Sequence, residues 1–292
     1  MFIQALIAGI AVGSVYALIA LGMVLIYKAS SVINFSQGAL VMIGAYITYA
    51  VVTGIPAPLW ITIPIAIVLS ALLGVVIERL IFRYMTGVDL IAVIMVTLGI
   101  SFLLEGSTTA IWGTLNYSFP KILPEMSFSL GGIHISEVYI WSFIFSMVIL
   151  VMFTLFFKYS KIGLRMRAVA DNQKASISLG IHPGKMISLS WAISCVVATI
   201  GGVMLANIKL LNLGLSGIGI LVFPVVILGG LDSIIGAVLG GFIIGILGSL
   251  SAVYAGGLMG GAVDQVVSFV ILLIILLVKP YGLFGTKETL RL

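Results

Sequence analysis

The sequence predicts an all-α, polytopic transmembrane helical bundle of about nine spans, within a range of eight to ten. Three observations predict it. Of 292 residues, 62% are hydrophobic and only 8% are charged, against about 25% charged in a soluble domain. A mean hydropathy of +1.33 is too apolar for one water-facing core. The apolar runs are continuous rather than alternating, which fits helices and not a membrane barrel. The positive charges sit at the ends of these runs, so the net charge of +5 points to a membrane surface and not to nucleic acid.

The charges and prolines that interrupt the apolar runs mark nine segments: 2–26, 34–52, 59–82, 90–112, 138–157, 186–207, 213–230, 233–255 and 260–278. They form one domain, 1–292. The first has no Lys or Arg before Lys28 and is long enough to span, so it does not read as an ordinary leader. Segments 34–52 and 213–230 are the shortest and most interrupted, and either suits a broken or re-entrant helix. With the 158–185 loop in the cytoplasm, Lys28, Arg79, Arg83, Lys279, Lys287 and Arg291 also fall inside. Only Lys121 and Lys209 fall outside. The N-terminus is then external and the C-terminus cytoplasmic. The external loop 113–137, with Pro120, Pro124, Gly131, Gly132, His134 and the acids Glu125 and Glu137, is long enough to touch an external partner or to be a plain, partly ordered loop.

The longest polar interval is 158–185, which carries Lys158, Lys161, Arg165, Arg167, Lys174 and Lys185. From Gly163 to Leu179 it lacks proline and is expected to form a helix. Ala168, Ala170 and Ala175 leave its surface shallow. Gly180 ends it, and Pro183 stops it from resuming. A short helix of this kind suits a groove on a soluble partner. An ordinary basic cytoplasmic loop is the alternative.

Polar residues within the spans are the other candidates. Ser30 to Gly38 packs hydroxyls and amides between two spans, with Asn34 able to cap the following helix and Gly38 permitting close backbone approach. A helix N-terminus at membrane depth is suited to a carboxylate. Thr97, Ser101 and Glu105 share one face of the fourth span, and an intramembrane acid faces a cavity or a partner by default. Asp232 or Ser233 reads as a cap for the next helix; Asp264 and Gln265 are weaker candidates near the outer face. The pairs Gly9/Gly13, Gly236/Gly240, Gly241/Gly245 and Gly257/Gly261 are small-xxx-small signals of close helix packing.

Several classes are disfavoured. Cys195 is the single cysteine, and His134 and His182 stand alone, so no metal site is expected. No nucleophile–base spacing and no HExxH occurs, so the chain is not expected to be an enzyme. Gly184-Lys185 is followed by Met186, which is not a phosphate loop. If the chain takes part in active transport, another chain supplies the energy.

Three stretches together carry a resemblance. The first runs through Tyr16-Ala17-Leu18, Leu21-Gly22, Leu25-Ile26-Tyr27 and Ile33-Asn34-Phe35-Ser36-Gln37-Gly38. The second is Gly163 to Ile181, with Arg167-Ala168-Val169-Ala170-Asp171-Asn172 and Ala175 to Gly180-Ile181. The third is Leu228-Gly229-Gly230 with Ser233, Gly236-Ala237 and Gly240-Gly241. In this order the chain resembles the LivH-type permeases of bacterial ATP-binding-cassette (ABC) importers for branched-chain amino acids, over nearly its whole length. That family typically has alanine and histidine where this chain has Ser36 and Gln37.

The resemblance implies a non-catalytic subunit of the bacterial inner membrane that forms a pore with a second, related permease. It also implies two cytoplasmic ATPases, which bind the ATP, and a periplasmic binding protein that delivers leucine, isoleucine or valine. No cofactor of its own is implied. The coupling residues would be Gly163, Arg165, Arg167, Ala168, Ala170, Asn172, Ala175, Gly180 and Ile181. Asn34, Ser36, Gln37, Gly38, Thr97, Ser101 and Glu105 would line the path. The same architecture serves urea, short amides and aromatic acids; an ion-coupled transporter or a channel is the competing class.

The charge asymmetry gives the first testable expectation. A reporter fused after Lys174 should read cytoplasmic and one fused after Pro124 external. Both on one side would sink the nine-span arrangement.

Overall fold

The computed structural model describes residues 1–85, 88–119, 128–130, 133–259, 263–280 and 282–285. The middle of the external loop, with Pro120, Lys121, Pro124, Glu125, Gly131 and Gly132, lies outside the described residues. So do Gly261, Lys287 and Arg291. The helices are α1 (Phe2–Ser30), α2 (Gln37–Gly54), α3 (Leu59–Leu80), α4 (Leu90–Trp112), α5 (Glu137–Tyr159), α6 (Lys161–Asp171), α7 (Gln173–Ser178), α8 (Pro183–Lys209), α9 (Ile218–Gly229), α10 (Ile234–Met259) and α11 (Val263–Val278). A small antiparallel hairpin, β1 (Phe128–Leu130) with β2 (Ile133–Ile135), sits in the external loop.

Each of the nine apolar segments contains a helix among the described residues. Among the described residues, seven helices are long and apolar enough to cross a membrane by themselves; the two shorter apolar ones are Leu213–Gly229 and Val263–Val278. The twelve residues of α9 rise only about 18 Å at 1.5 Å per residue, against roughly 30 Å of hydrocarbon. It crosses with the help of a 3₁₀ turn, Leu213–Gly217.

α1 is apolar on every side because it is enclosed on every side. It runs against α5, α8, α9 and α10. Its closest neighbour is α10, and the glycine pairs explain why. A Cβ on Gly13 would meet the Gly241 carbonyl oxygen at 2.8 Å, and one on Gly9 the Ile246 Cα at 2.8 Å. Gly245 lies directly on Gly13, and Gly241 on Ala17. Gly236 and Gly240 do the same for α10 against Gly229 and Val225 of α9. Where lipid tails are as apolar as side chains, such backbone approach supplies the packing. Ser249 Oγ adds a hydrogen bond to the Ala5 carbonyl at 2.8 Å.

α8 forms the second wall. Gly201 admits Ile19 of α1, Gly202 meets Val41 of α2, and Gly74 of α3 lies on the Trp191 carbonyl. Trp191 is fully buried and stacks on Phe82 with ring centroids 4.3 Å apart. Pro183 does not merely halt a helix: it occupies the first turn of α8, where its missing N–H costs nothing. Ser233, rather than Asp232, caps α10, its Oγ accepting the Gly236 N–H at 3.0 Å.

The two interrupted segments are both broken spans. After α1 the chain turns at Ser31, with φ 56, and climbs without helix to Gln37. The Gln37 amide donates to the Ile19 carbonyl at 3.3 Å and accepts from Ser194 Oγ at 3.2 Å. Ile19 and Ser194 lie about 16 Å along α1 and α8 from their inner ends, near mid-membrane. At that level Gly38 meets the backbone of Ser216 and Gly219, at the start of α9. The two half-helices thus begin together in the middle and run to opposite faces, as discontinuous helices do in many transporters. At the inner face the chain after α11 covers the end of α9: Leu283 N–H donates to Leu228 O at 2.8 Å and Phe284 N–H to Gly229 O at 3.1 Å.

Overpacking the α1–α10 contact should be costly. Gly245→Val, which drives a side chain into the Gly13 backbone, should destabilise the protein by about 1–3 kcal/mol. Gly106→Val has open space at its Cβ and should be far milder. Thermal unfolding in detergent of the two variants checks this, and equal melting temperatures would refute it.

Candidate functional site

Asn34, Ser36 and Gln37 are fully buried, and their polar atoms bond chiefly to one another. Asn34 Oδ1 accepts from the Ser36 N–H at 3.0 Å and from Ser36 Oγ at 2.6 Å. Asn34 Nδ2 donates to Gln37 Oε1 at 3.2 Å. Asn34 therefore braces the turn ahead of α2 instead of capping the helix directly; the N-cap position is Ser36. Gln37 is tied to α1 and α8, so these residues form a buried joint between both walls and the start of α2. The sequence placed the joint but not its closure, which depends on partners 18 and 157 positions away.

The Thr97/Ser101/Glu105 face is split. Thr97 is fully buried and donates to its own helix at Ile94 O, 2.7 Å. Ser101 and Glu105 stand on the flank, half-buried, with Ser101 Oγ donating to Glu105 Oε1 at 3.4 Å. The buried face of α4 is Val93, Thr97, Ile100, Leu104 and Thr108. No hydrogen bond among the described residues joins this face to the Asn34–Gly38 turn.

The cytoplasmic element differs from the single helix expected between Gly163 and Leu179. It is two helices, because Asn172 leaves the helical path and its Oδ1 accepts the Ala175 N–H at 3.0 Å, capping α7. Ser160 caps α6 in the same way, accepting the Gly163 N–H at 2.8 Å. Gly163 lies on the Phe157 backbone, where a Cβ would collide. Arg167 donates to the Lys158 carbonyl at 3.1 Å and lies over the Phe157 ring, so it fastens α6 to α5. Gly180 takes φ +75, and the Ile181 N–H returns to Ser176 O at 2.9 Å, closing α7 with a left-handed cap.

Met166 and Val169 face inward, whereas Leu164, Ile177 and Leu179 are 60%, 60% and 76% exposed. Arg165 and Ala175 are exposed as well. Ala170 does not belong to this outward face. It lines two cavities on the membrane side, of about 640 and 610 Å³.

Those two cavities flank the inner end of α1 and share Lys28, Ser31, Ala170 and Asp171. The larger reaches Glu78, Arg83, Val93 and Ile187; the other reaches Ile227, Asp232 and Pro280. Glu78 went unremarked in the sequence, since it sits beside Arg79 at a span end. It is 1% exposed, and its Oε2 has no hydrogen-bond partner. The platform α6–α7 thus forms part of the floor of a polar inner vestibule. Apart from Lys209, the described basic residues gather at this end, so the chain is a multi-pass membrane protein with one strongly basic face.

Comparison with known proteins agrees with this architecture. The family model described as "Branched-chain amino acid transport system / permease component" matches residues 5–276. The chain is 30% identical to the high-affinity branched-chain amino acid transport system permease protein BraD of Pseudomonas aeruginosa, covering 98% of this chain and 97% of that one. It is 30% identical to the LivH permease protein of Escherichia coli K12, covering 98% and 96%. It is 26% identical to a probable LivH of Methanocaldococcus jannaschii, covering 92% and 88%. Among solved structures, PsaBC from Streptococcus pneumoniae in complex with Fab aligns with a TM-score of 0.50 at 16% identity, covering 93% of this chain and 89% of that one, a likeness of fold.

The central joint yields a direct test. Gln37→Leu leaves Asn34 Nδ2 and Ser194 Oγ without their acceptor, and a buried unsatisfied group costs about 1–3 kcal/mol. The variant should melt well below Ser101→Ala, whose hydroxyl is only part-buried. Matching melting curves would show that the joint does not hold the half-helices.

Proposed function

The chain belongs to the family of branched-chain amino acid transport permease components, and from that premise we propose that it is the membrane subunit of an ABC importer for leucine, isoleucine and valine. The two cytoplasmic ATPases bind and hydrolyse the nucleotide, a related second permease completes the pore, and a periplasmic binding protein delivers the amino acid. The α6–α7 platform is the observation that carries this reading. It is a short amphipathic pair pinned by Arg167, Gly163 and two side-chain caps, and it leaves Leu164 and Leu179 exposed away from the inner cavities, whereas Ile177 borders the larger one. Exposed leucines on a rigid basic element suit an apolar groove on a soluble ATPase. The chain has no phosphate loop, so nucleotide-driven motion must enter through such a contact.

α6 also packs against α1 and α8, the two helices that hold Gln37. In this reading, displacement of the platform acts on the inner ends of both walls and loosens the joint at Gln37 and Gly38. The Asn34–Gly38 turn then separates the inner vestibule from the outside until the ATPases close.

The test is substrate-stimulated ATP hydrolysis by the assembled importer in proteoliposomes, with leucine uptake measured alongside. Leu164→Asp and Ala168→Trp should each reduce stimulation more than ten-fold while insertion stays normal. Arg165→Lys should change little, because exposed ion pairs contribute only about 0–1 kcal/mol. Full stimulation in both of the first two variants would overturn the docking face. Uptake of urea in place of leucine would overturn the substrate.

A further inference from the structure

The outer half of the protein holds a cavity unlike the inner ones. It measures about 260 Å³ and lies between α1, α5, α8, α9, α10 and α11. Its floor reaches Tyr16 and Leu221. Tyr16 is about 21 Å along α1 from the outer end at 1.5 Å per residue. A second cavity of about 320 Å³, lined by Gln4 and Ser136 near the outer end, shares Ala8, Tyr139, Ser249 and Ala252 with it. Together they make one cleft leading from the external face toward mid-membrane.

The deeper cavity carries one charge of each sign. Lys209, at the end of α8, and Asp264, in the first turn of α11, both line it. Among the described residues neither forms an ion pair. Asp264 Oδ1 accepts only the Gln265 N–H, at 2.9 Å. Tyr16 is 4% exposed and lines the same cavity as Asp264. The rest of the wall is largely apolar, with Val12, Ile208, Leu221 and Ile244. Asp264 is half-buried and Lys209 is exposed; an acid lodged within a bundle faces a cavity or a partner, whereas a lysine at a span end reaches water.

We propose that this cleft is an outer receiving site for a free branched-chain L-amino acid. The Asp264 carboxylate takes the ammonium, Lys209 takes the carboxylate, and Val12, Leu221 and Ile244 hold the aliphatic side chain. Tyr16, from the motif Tyr16-Ala17-Leu18, forms part of the cavity wall beside them. The assignment rests on the proposed function and deepens it. Opposite charges on one small apolar cavity complement a zwitterion and leave no charge unmatched. Urea and short amides offer neither charge. The volume lies just under the range of about 300–1,000 Å³ usual for drug-sized ligands, which suits a smaller molecule. The site stands on the outer side of the closed joint at Gln37, where a substrate released by an external donor would arrive first.

The test uses the assembled importer in nanodiscs, without binding protein or nucleotide, and measures equilibrium binding of L-leucine, L-leucinol and 4-methylpentanoate. Leucinol lacks the carboxylate and 4-methylpentanoate lacks the ammonium. Asp264→Asn keeps the acceptor for the Gln265 N–H, so the helix start is preserved; Lys209→Met keeps the stem. Each should weaken leucine binding ten-fold or more. Asp264→Asn should leave 4-methylpentanoate unaffected, and Lys209→Met should leave leucinol unaffected. Wild-type leucine binding in both variants, or equal losses for all three probes, overturns the site. So does a wild-type complex that takes up leucine, with binding protein present, yet binds none of it alone. A wild-type complex that neither binds nor takes up leucine overturns the function from which the site was argued, and the site with it.

Discussion

Backbone without helix at mid-membrane depth must be enclosed by protein, because lipid offers its N–H and C=O groups nothing to bond. One such stretch lies here before Gln37, meeting the 3₁₀ turn Leu213–Gly217 ahead of Ile218, and much of the architecture encloses that meeting point. α1 is surrounded so that its Ile19 carbonyl can meet the Gln37 amide, and α8 presents Ser194 from the other side. Gly38 and Gly219 bring the two half-helices into backbone contact where any Cβ would hold them apart. The glycine contacts of α1 with α10 and of α9 with α10 complete the enclosure.

The same constraint divides the protein into an inner and an outer half of different chemistry. Below the joint, two cavities with Glu78, Lys28, Arg83, Asp171 and Asp232 open toward the basic face. Above it lies a smaller cavity with one acid, one base and aliphatic walls. The platform α6–α7 touches the inner half through α1 and α8. The platform thus rests against both of the walls that hold Gln37.

Much of the fold was legible in the residues, and the reasons are local. Nine apolar stretches, the basic asymmetry and the polar 158–185 interval follow from composition alone. So does the irregularity of 34–52 and 213–230, since Asn, Ser, Gln and Gly interrupt both. The platform was legible in part. Gly180 announced its end, but Asn172 split it, so Ala175 stands exposed on α7 while Ala170 on α6 lines the inner cavities. A single helical period drawn through 163–179 cannot show that, because the phase is lost where the chain leaves the helix.

What remained hidden was pairing. Gly9, Gly13, Gly241 and Gly245 were recognisable as small-residue pairs, but not as one interface. Asp264 and Lys209 looked like unrelated charges near the outer face, and Glu78 like one more residue at a span end. The sequence by itself determined which segments are apolar enough to enter a membrane and which end carries most of the basic charge. Transfer free energy and charge are properties of each residue and accumulate along a local window. Only the tertiary structure decided which faces meet, where the joint closes and which charges share a cavity. Those outcomes depend on the close approach of backbones far apart in the chain, and composition carries no record of the partner.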